Sequence, residues 1–462
     1  MKAGNAPKLA DAPENLSVPV EFAGRVPVPG PAAVSAGPAS LAPDADGPGP
    51  ALVRRRREGS LRKPEAARPQ AHRRHPWLRR LAAAFFILLA AAILWFFRPW
   101  WHDGWMFLYT RPVFLEAAGV WLLLHLILRR LARPAQASGD KRGIAPSRRP
   151  APWLWPLSVG LLAFLLWLGA LAAGWAQELY LARTVPYLEA SVAPTLGPVL
   201  PGIPAQTAYD QARKTLPYSQ YRLGRPGLSL MEGRIGWGFP LVPNGWLPMF
   251  LWRSHGVVVL EGGPTPAAPR VLVRPLAVGE GMQLTDNLWW RLWLRYPLYT
   301  AARPLYIPTF SNGSRATDLL TVVPLVGYSF HWWSGIPFTI PRFAGVAVLH
   351  ADGREQFLSA AQVQRDPVLS QAPVFPVSLA RLYASAYSYR DGLVNVLFLH
   401  RNQLQIVGRP ASQPLDEGNL RAAAGGLAWV FGAKPYGESQ AVVKLFVVDA
   451  CAGWVAVAQA GP

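Results

Sequence analysis

Three apolar stretches lie in the first 180 residues, and they constrain the fold more than any other feature of the chain. They cover residues 81–97, 105–128 and 153–176. Each approaches or exceeds the roughly 18–20 apolar residues that cross a bilayer. We therefore predict an integral membrane protein with a transmembrane domain at residues 79–180 and one span in each stretch.

The second stretch allows two interpretations. Its apolar run contains Arg111, Pro112 and Glu116, and a bilayer interior disfavours the two charged residues. Trp100 and Trp101 lie just before it, where an aromatic belt is expected at a membrane interface, and this favours a true span. The alternative is a re-entrant or interfacial hairpin, which would turn the C-terminal region to the cytoplasm.

The distribution of basic residues predicts the topology. Residues 1–80 contain 14 Lys/Arg against 7 Asp/Glu, and residues 129–150 contain 7 against 1. Because Lys and Arg beside a span stay in the cytoplasm, we predict an inner-membrane protein with a cytoplasmic N-terminus and an extracytoplasmic C-terminal region. The arginines expected to set this topology at the membrane surface are Arg54, Arg55, Arg56, Arg57, Arg79, Arg80, Arg129 and Arg130.

Residues 1–78 form a basic tail rich in Ala, Pro and Gly, with almost no aromatic residues. Such a segment cannot bury enough apolar area to offset the entropy of ordering, so we predict disorder. The formal net charge of +20 raises the question of nucleic acid. No interleaved aromatics accompany the basic run, and a polybasic segment before a span is attracted to anionic headgroups. The lipid bilayer is therefore the expected partner, and nucleic acid is disfavoured.

Residues 181–462 change to short strands and turns, and they predict an α+β region. β-branched runs such as Gly256-Val-Val-Val-Leu260 and Gly345-Val-Ala-Val-Leu349 are typical of buried strands. Helical periodicity precedes two of these units. We predict three small modules, each an antiparallel sheet with a helix, near residues 205–275, 288–365 and 375–458.

The segment Val447-Val-Asp-Ala-Cys-Ala-Gly-Trp-Val455 places an Asp-x-x-x-Gly turn after a hydrophobic strand. Together with a preceding helix, it resembles the PepSY-type modules of bacterial envelope proteins. The layout of the C-terminal region is similar to that of uncharacterised bacterial multi-span envelope proteins with such modules. The resemblance implies a binding or inhibitory module, often linked to peptidase control, and carries no catalytic residue onto this chain.

Catalytic motifs are missing from the sequence, which contains no Gly-x-Ser-x-Gly elbow, no His-Glu-x-x-His and no Gly-rich phosphate loop. Its one cysteine, Cys451, is expected to fill apolar space, and no metal or cofactor is predicted. The alternatives left open are an accessory subunit of a transport complex and a hydrolase-like envelope enzyme. The candidate residues of such an enzyme, distant in sequence, are His331, His350, Asp352 and Asp318.

Two aromatic clusters, the first of them interleaved with arginine, give the remaining functional signal. Such mixtures are typical of protein-binding hot spots, and also of core packing or of surfaces at a bilayer interface. We predict a non-catalytic binding, scaffold or regulatory domain that holds an envelope protein or peptide partner. The predicted partner-binding residues are Trp289, Trp290, Arg291, Trp293, Arg295, Trp332 and Trp333.

Overall fold

The computed structural model describes residues 76–131, 154–190, 195–263, 268–310, 316–407, 420–423 and 426–460. The predicted disordered tail therefore lies almost wholly outside the described residues. The helices are α1 (Pro76–Phe96), α2 (His102–Tyr109), α3 (Val113–Leu131), α4 (Leu154–Thr184), α5 (Ala205–Lys214), α6 (Pro248–Leu251), α7 (Leu288–Arg295), α8 (Ala360–Val363) and α9 (Val377–Ala386).

Seventeen strands accompany these helices among the described residues, so the fold is α+β, as predicted. The strands are β1 (Tyr187–Ala190), β2 (Leu196–Val199), β3 (Tyr221–Leu223), β4 (Gly227–Met231), β5 (Arg234–Pro243), β6 (Ser254–Glu261), β7 (Arg270–Leu276), β8 (Thr300–Ala301), β9 (Leu305–Phe310), β10 (Ala316–Trp333), β11 (Ile336–Leu349), β12 (Glu355–Ser359), β13 (Leu404–Ile406), β14 (Leu420–Ala423), β15 (Gly426–Pro435), β16 (Lys444–Asp449) and β17 (Val455–Gln459).

The larger sheet has ten strands, eight of them in the order β12-β11-β10-β9-β4-β5-β6-β7. Two antiparallel meanders, β4 to β7 and β9 to β12, meet through the parallel pair β4–β9, in which Leu228 lies opposite Leu305. Helix α5 packs on the first meander and α7 on the second. Sequence neighbours thus pair within each meander, and one long-range contact joins the two.

The smaller sheet contains seven strands, six of them in the order β1-β17-β16-β15-β14-β2. It shares one hydrophobic core with the larger sheet. Phe431 and Phe446 come from the smaller sheet, Val322 and Val346 from the larger one, and Leu379 from α9. All five are almost fully buried, so the two sheets and α9 form one packed body.

The three separate modules predicted from the sequence are not what the structure contains. The segments predicted as the first and second modules, 205–275 and 288–365, contribute to the same sheet. The third, 375–458, completes its sheet only with β1 and β2 from far earlier in the chain. Local strand patterns reveal individual hairpins, but they do not reveal which distant edges pair.

The prediction of three membrane spans is not borne out. Among the described residues, one helix, Trp155–Thr184, is long and apolar enough to cross a membrane. Arg80–Phe96 and Arg98–Tyr109 add a second candidate if that pair, bent by 62°, counts as one span. The predicted span 105–128 is broken between α2 and α3, at a turn that contains Pro112, because proline cannot continue a helix.

Glycine begins the β-branched run in both meanders, at Gly256 and Gly345. Their φ angles are +138° and +137°. A Cβ atom would lie 1.9 Å from the carbonyl oxygen of Leu272 at Gly256 and 2.1 Å from that of Leu358 at Gly345. A β-bulge lies beside each glycine, so the sheet needs a residue without a side chain at both positions.

We expect Gly345→Ala to destabilise the protein much more than Gly335→Ala. Gly335 also has positive φ, at +85°, but a Cβ atom there would meet nothing within 4 Å. The control should therefore cost about 1 kcal/mol of unfolding free energy, and Gly345→Ala about 3 kcal/mol or more, because backbone atoms must move. Thermal unfolding of the purified protein in detergent measures both, and equal shifts would contradict the steric argument.

Candidate functional site

Helix α7 carries most of the predicted partner-binding residues. It begins after Asn287, whose side-chain oxygen accepts a 3.0 Å hydrogen bond from the backbone N–H of Trp290. This is the usual role of asparagine before a helix. Leu288 and Leu292 are buried against the larger sheet, where Val323 belongs to the same cluster. One side of α7 is therefore fixed to the sheet, which leaves its tryptophans to meet other parts of the chain.

Trp290 packs against the end of α1. Its ring centroid lies 5.6 Å from that of Phe96, 5.9 Å from that of Phe97 and 6.0 Å from that of Trp100. The rings meet in tilted and edge-to-face orientations, which are favourable for aromatic pairs. Only 5% of Trp290 is exposed. The group that this residue meets in the structure is thus an aromatic segment of its own chain.

Two further contacts attach α7 to the segment that follows α1. The ring of Trp293 stacks on that of His102 at 4.9 Å, with 13° between the planes. The guanidinium of Arg98 donates a hydrogen bond to the backbone carbonyl of Leu294. Trp289 is partly buried and lies beside Trp293. Binding of another protein by these tryptophans stays a prediction.

The two arginines of α7 have different environments. The Nε atom of Arg291 lies 3.3 Å from a carboxylate oxygen of Glu355, and its Nη2 donates a 2.8 Å hydrogen bond to the carbonyl of Gly353. Arg291 therefore ties α7 to the turn before β12. Arg295 is exposed at the end of the helix. Of the predicted partner-binding residues in α7, Arg295 is the one that solvent reaches most readily.

Trp332 and Trp333 lie at the tip of the long β10–β11 hairpin. Their exposed fractions are 70% and 43%. The hairpin contacts α2 through Phe330, whose ring lies 5.0 Å from that of Tyr109. The first residue of α2 stacks on Trp293, and its last residue meets Phe330 edge-to-face. The two predicted clusters therefore lie at opposite ends of one short helix.

Two of the candidate enzyme residues converge. The Nδ1 atom of His350 lies 2.8 Å from a carboxylate oxygen of Asp318. The other oxygen of Asp318 accepts backbone N–H groups from Leu319 at 2.8 Å and Ala351 at 3.2 Å. This carboxylate thus joins the beginning of β10 to the turn after β11.

The other two candidate enzyme residues, Asp352 and His331, form hydrogen bonds with different partners. Asp352 accepts from the backbone and side chain of Arg354 in an exposed turn. His331 contacts the hydroxyl of Ser329 at 3.0 Å and the ring of Tyr180 at 4.3 Å between centroids. Each of the two residues therefore has hydrogen-bond partners of its own, separate from the His350–Asp318 pair.

The predicted topology arginines are only partly within the described residues. Arg54 to Arg57 lie outside them. Arg79 and Arg80 belong to the first turns of α1, and Arg80 is exposed. Arg129 and Arg130 are exposed in the last turn of α3, where cations interact favourably with the helix dipole.

Two buried polar residues, Glu280 and Tyr306 of β9, were not predicted from the sequence. Glu280 is 5% exposed, and one of its carboxylate oxygens has no hydrogen-bond partner. Burial raises the pKa of Glu280 to about 7, although the positive charges of Arg225 and Arg303 act in the other direction. The hydroxyl of Tyr306 is also buried without a partner. In the sequence, the glutamate before Gly281 resembles an ordinary turn residue. Its burial is visible only in the folded structure.

Metal binding has no candidate in the part of the chain that the structure describes. No group of three or more His, Cys, Asp or Glu side chains there is placed to hold an ion. Cys451 is half-buried, and burial, followed by the nearby charge of Asp449, raises the pKa of its thiol to about 11. A thiol with such a pKa is a poor nucleophile near neutral pH.

We expect Trp290→Ala to destabilise the protein and Trp332→Ala to leave its stability nearly unchanged. Truncation of a buried tryptophan costs about 3–5 kcal/mol of unfolding free energy, whereas exposed substitutions stay within roughly 0.5 kcal/mol. Thermal unfolding in detergent compares the two variants. If Trp290→Ala unfolded at the wild-type temperature, its aromatic contacts with the end of α1 would contribute nothing to the fold.

Comparisons with protein-family models, with curated proteins and with solved structures found no match to this chain. The function is therefore inferred from its residues and their contacts.

Proposed function

We propose that the chain is an integral inner-membrane protein whose α+β region lies on the extracytoplasmic side and acts as a non-catalytic binding or regulatory domain. The observation that carries this proposal is the course of α4. Its apolar part, exposed along most of its length, continues without a break into residues that are buried in the domain. An apolar helix of this kind, joined rigidly to a folded region, is suited to anchor that region at a bilayer.

The junction between α4 and the domain is closely packed. Ala176 and Leu181 of α4 are each 2% exposed and cluster with Phe338 and Ile340 of β11. Three residues after α4 ends, Tyr187 begins β1, which pairs in parallel with β17. A tilt of α4 would therefore be transmitted to both sheets.

Helix α3 runs antiparallel to α4 and supports the orientation. The indole N–H of Trp121 donates a 2.5 Å hydrogen bond to the carbonyl of Ser158, and Val113 lies against Gly169. The basic end of α3 therefore lies at the same level as the first turns of α4. With the seven Lys/Arg of residues 129–150 in the cytoplasm, α4 leads outward.

An exposed apolar segment offers a surface for an envelope protein or peptide. Residues 246–252 include Trp246, Phe250 and Leu251, which are 75%, 54% and 69% exposed. Contiguous exposed apolar side chains mark interaction sites more often than chance positions do. The resemblance of residues 447–455 to PepSY-type modules points to the same class of function, a binding or inhibitory module.

Reporter fusions test the proposed topology. Alkaline phosphatase fused after Pro462 should be active, and green fluorescent protein fused there should be dark, because phosphatase folds outside the cytoplasm and this fluorescent protein inside it. The same reporters inserted after Gly143, within the basic segment, should give the opposite result and serve as the control. Fluorescence after Pro462 would contradict an extracytoplasmic domain.

A hydrolase-like envelope enzyme is the second candidate, and the hydrogen bond between His350 and Asp318 favours it. A histidine oriented by a carboxylate is part of many hydrolytic sites. Asp318 also accepts two backbone N–H groups, however, which is typical of a residue that stabilises a turn. Burial alone would raise the pKa of Asp318, but the hydrogen bonds from His350, Leu319 and Ala351 outweigh it and hold the pKa below its ordinary value.

Asp318→Asn separates the two roles. If the carboxylate is structural, the variant should lose roughly 1–2 kcal/mol of unfolding free energy at pH 7, because an amide replaces a charged acceptor. The folded-state pKa is lowered, so the carboxylate stabilises the wild type above about pH 4. This contribution is lost as pH falls through the lowered folded-state pKa, so the difference in stability between the two proteins should shrink as the solution is made more acidic.

Asp352→Asn is the matched control, because that carboxylate is exposed and should contribute little. Thermal unfolding across this pH range is the measurement. Unchanged stability of Asp318→Asn, combined with loss of an ester- or peptide-hydrolysing activity present in the wild type, would favour the enzyme instead.

A further inference from the structure

We infer that the tip of the β10–β11 hairpin inserts into the headgroup region of the extracytoplasmic leaflet, so that the domain touches the lipid surface beside α4. The inference rests on the proposed anchoring by α4. It assigns Trp332 and Trp333 to lipid rather than to a protein partner.

The hairpin tip is stiff and presents its tryptophans outward. Ser334 and Gly335 form a two-residue turn in which both φ angles are positive, at 49° and 85°. Trp333 and Ile336 face each other on either side of the turn. Turns of this kind match the natural twist of a hairpin, so the strands stay paired to the end. The exposed tryptophans are therefore held on a rigid support.

His331 and Phe338 lie opposite each other two residues from the turn and form the base of the exposed tip. Their contacts place this base at the outer end of α4. The ring of Tyr180 lies 4.3 Å from that of His331 and 6.0 Å from that of Phe338. A bilayer core of about 30 Å corresponds to roughly 20 helical residues, which from Trp155 ends near Ala176. Ala176 itself belongs to the cluster of Phe338. The base of the tip thus lies at the membrane surface.

The tip extends from this base toward the bilayer. The side chain of Thr339 donates a 2.7 Å hydrogen bond to the carbonyl of Thr110, which lies between α2 and α3. Three residues later, Val113 of α3 contacts Gly169 of α4, within the apolar part of that helix. Ile336 lies about 10 Å farther along the strand than Thr339. The tip therefore reaches the level at which headgroups meet acyl chains.

The chemistry of the tip fits this environment. Residues 332–337 at the tip contain two tryptophans, an isoleucine and a proline, and no Asp, Glu, Lys or Arg. Tryptophan is enriched where membrane meets water, because its ring is apolar and its N–H remains hydrated. Protein-binding surfaces usually surround such residues with a polar, charged rim. The uncharged sequence of the tip favours lipid.

A second exposed apolar segment lies beside the same helix. The turn Tyr387–Tyr389 packs on α4 and leads to the π-helix Asn395–Leu399. In this region Val394 is 64% exposed and Phe398 is 75% exposed. Two elements far apart in sequence therefore present exposed apolar side chains around the outer end of α4. Both would have to do so if both contact the same flat lipid surface.

Spin labels on single cysteines test the inference in the full-length protein. Cys451 is first replaced by Ala, and the labels are then placed at Trp332→Cys and Phe398→Cys. Leu168→Cys, in the apolar part of α4 and 44% exposed, reports on anchoring. Gln206→Cys, exposed on α5, reports on water. Each protein is reconstituted in phosphatidylcholine nanodiscs, and collisions with oxygen and with a water-soluble nickel chelate are measured.

We expect the labels at residues 332 and 398 to collide several-fold less with the nickel chelate, and more with oxygen, than the label at residue 206. A lipid-like signal at residue 168 with water-like signals at 332 and 398 would overturn the inference while anchoring stands. A water-like signal at residue 168 would overturn the anchoring and the inference together. A label at residue 332 shielded from both reagents would indicate a protein contact and would also overturn the inference.

Discussion

The packing of the last turns of α4 into the domain is the contact on which the other features depend. Ala176 and Leu181 belong at once to an apolar helix and to the cluster around Phe338. Because a closely packed interior transmits displacement, the helix and both sheets behave as one body. The second attachment, between Trp290 and the aromatic end of α1, fixes the same body at another point. A domain held at two points has little freedom to turn away from the surface beside it.

Helix α2 connects two aromatic clusters that are distant in sequence. It is eight residues long, so it spans about 12 Å. His102 stacks on Trp293 at one end, and Tyr109 meets Phe330 at the other. The tryptophans of α7 and those of the hairpin therefore have different roles despite similar composition. The tryptophans of α7 pack against other parts of the chain, whereas those of the hairpin remain exposed.

Much of the local structure was predictable, because it depends on nearby residues. The apolar stretches became helices, and the runs after Gly256 and Gly345 became strands. The predicted span 105–128 is interrupted at Pro112, because one proline can end a helix even in a segment that is apolar on average. Other errors had non-local causes. No sequence pattern links Leu228 to Leu305 or Trp290 to Phe96, because such pairings depend on the whole fold.

The parallel pairing of β1 with β17 has a consequence for biogenesis. Tyr187 is synthesised long before Val455, yet the two residues lie opposite each other in that pair. Until β17 has been synthesised, β1 lacks its neighbour in the smaller sheet, and its strand edge stays unpaired. Folding of the smaller sheet therefore waits for its last strands, and chaperones that bind unpaired strand edges would have their greatest effect during that interval.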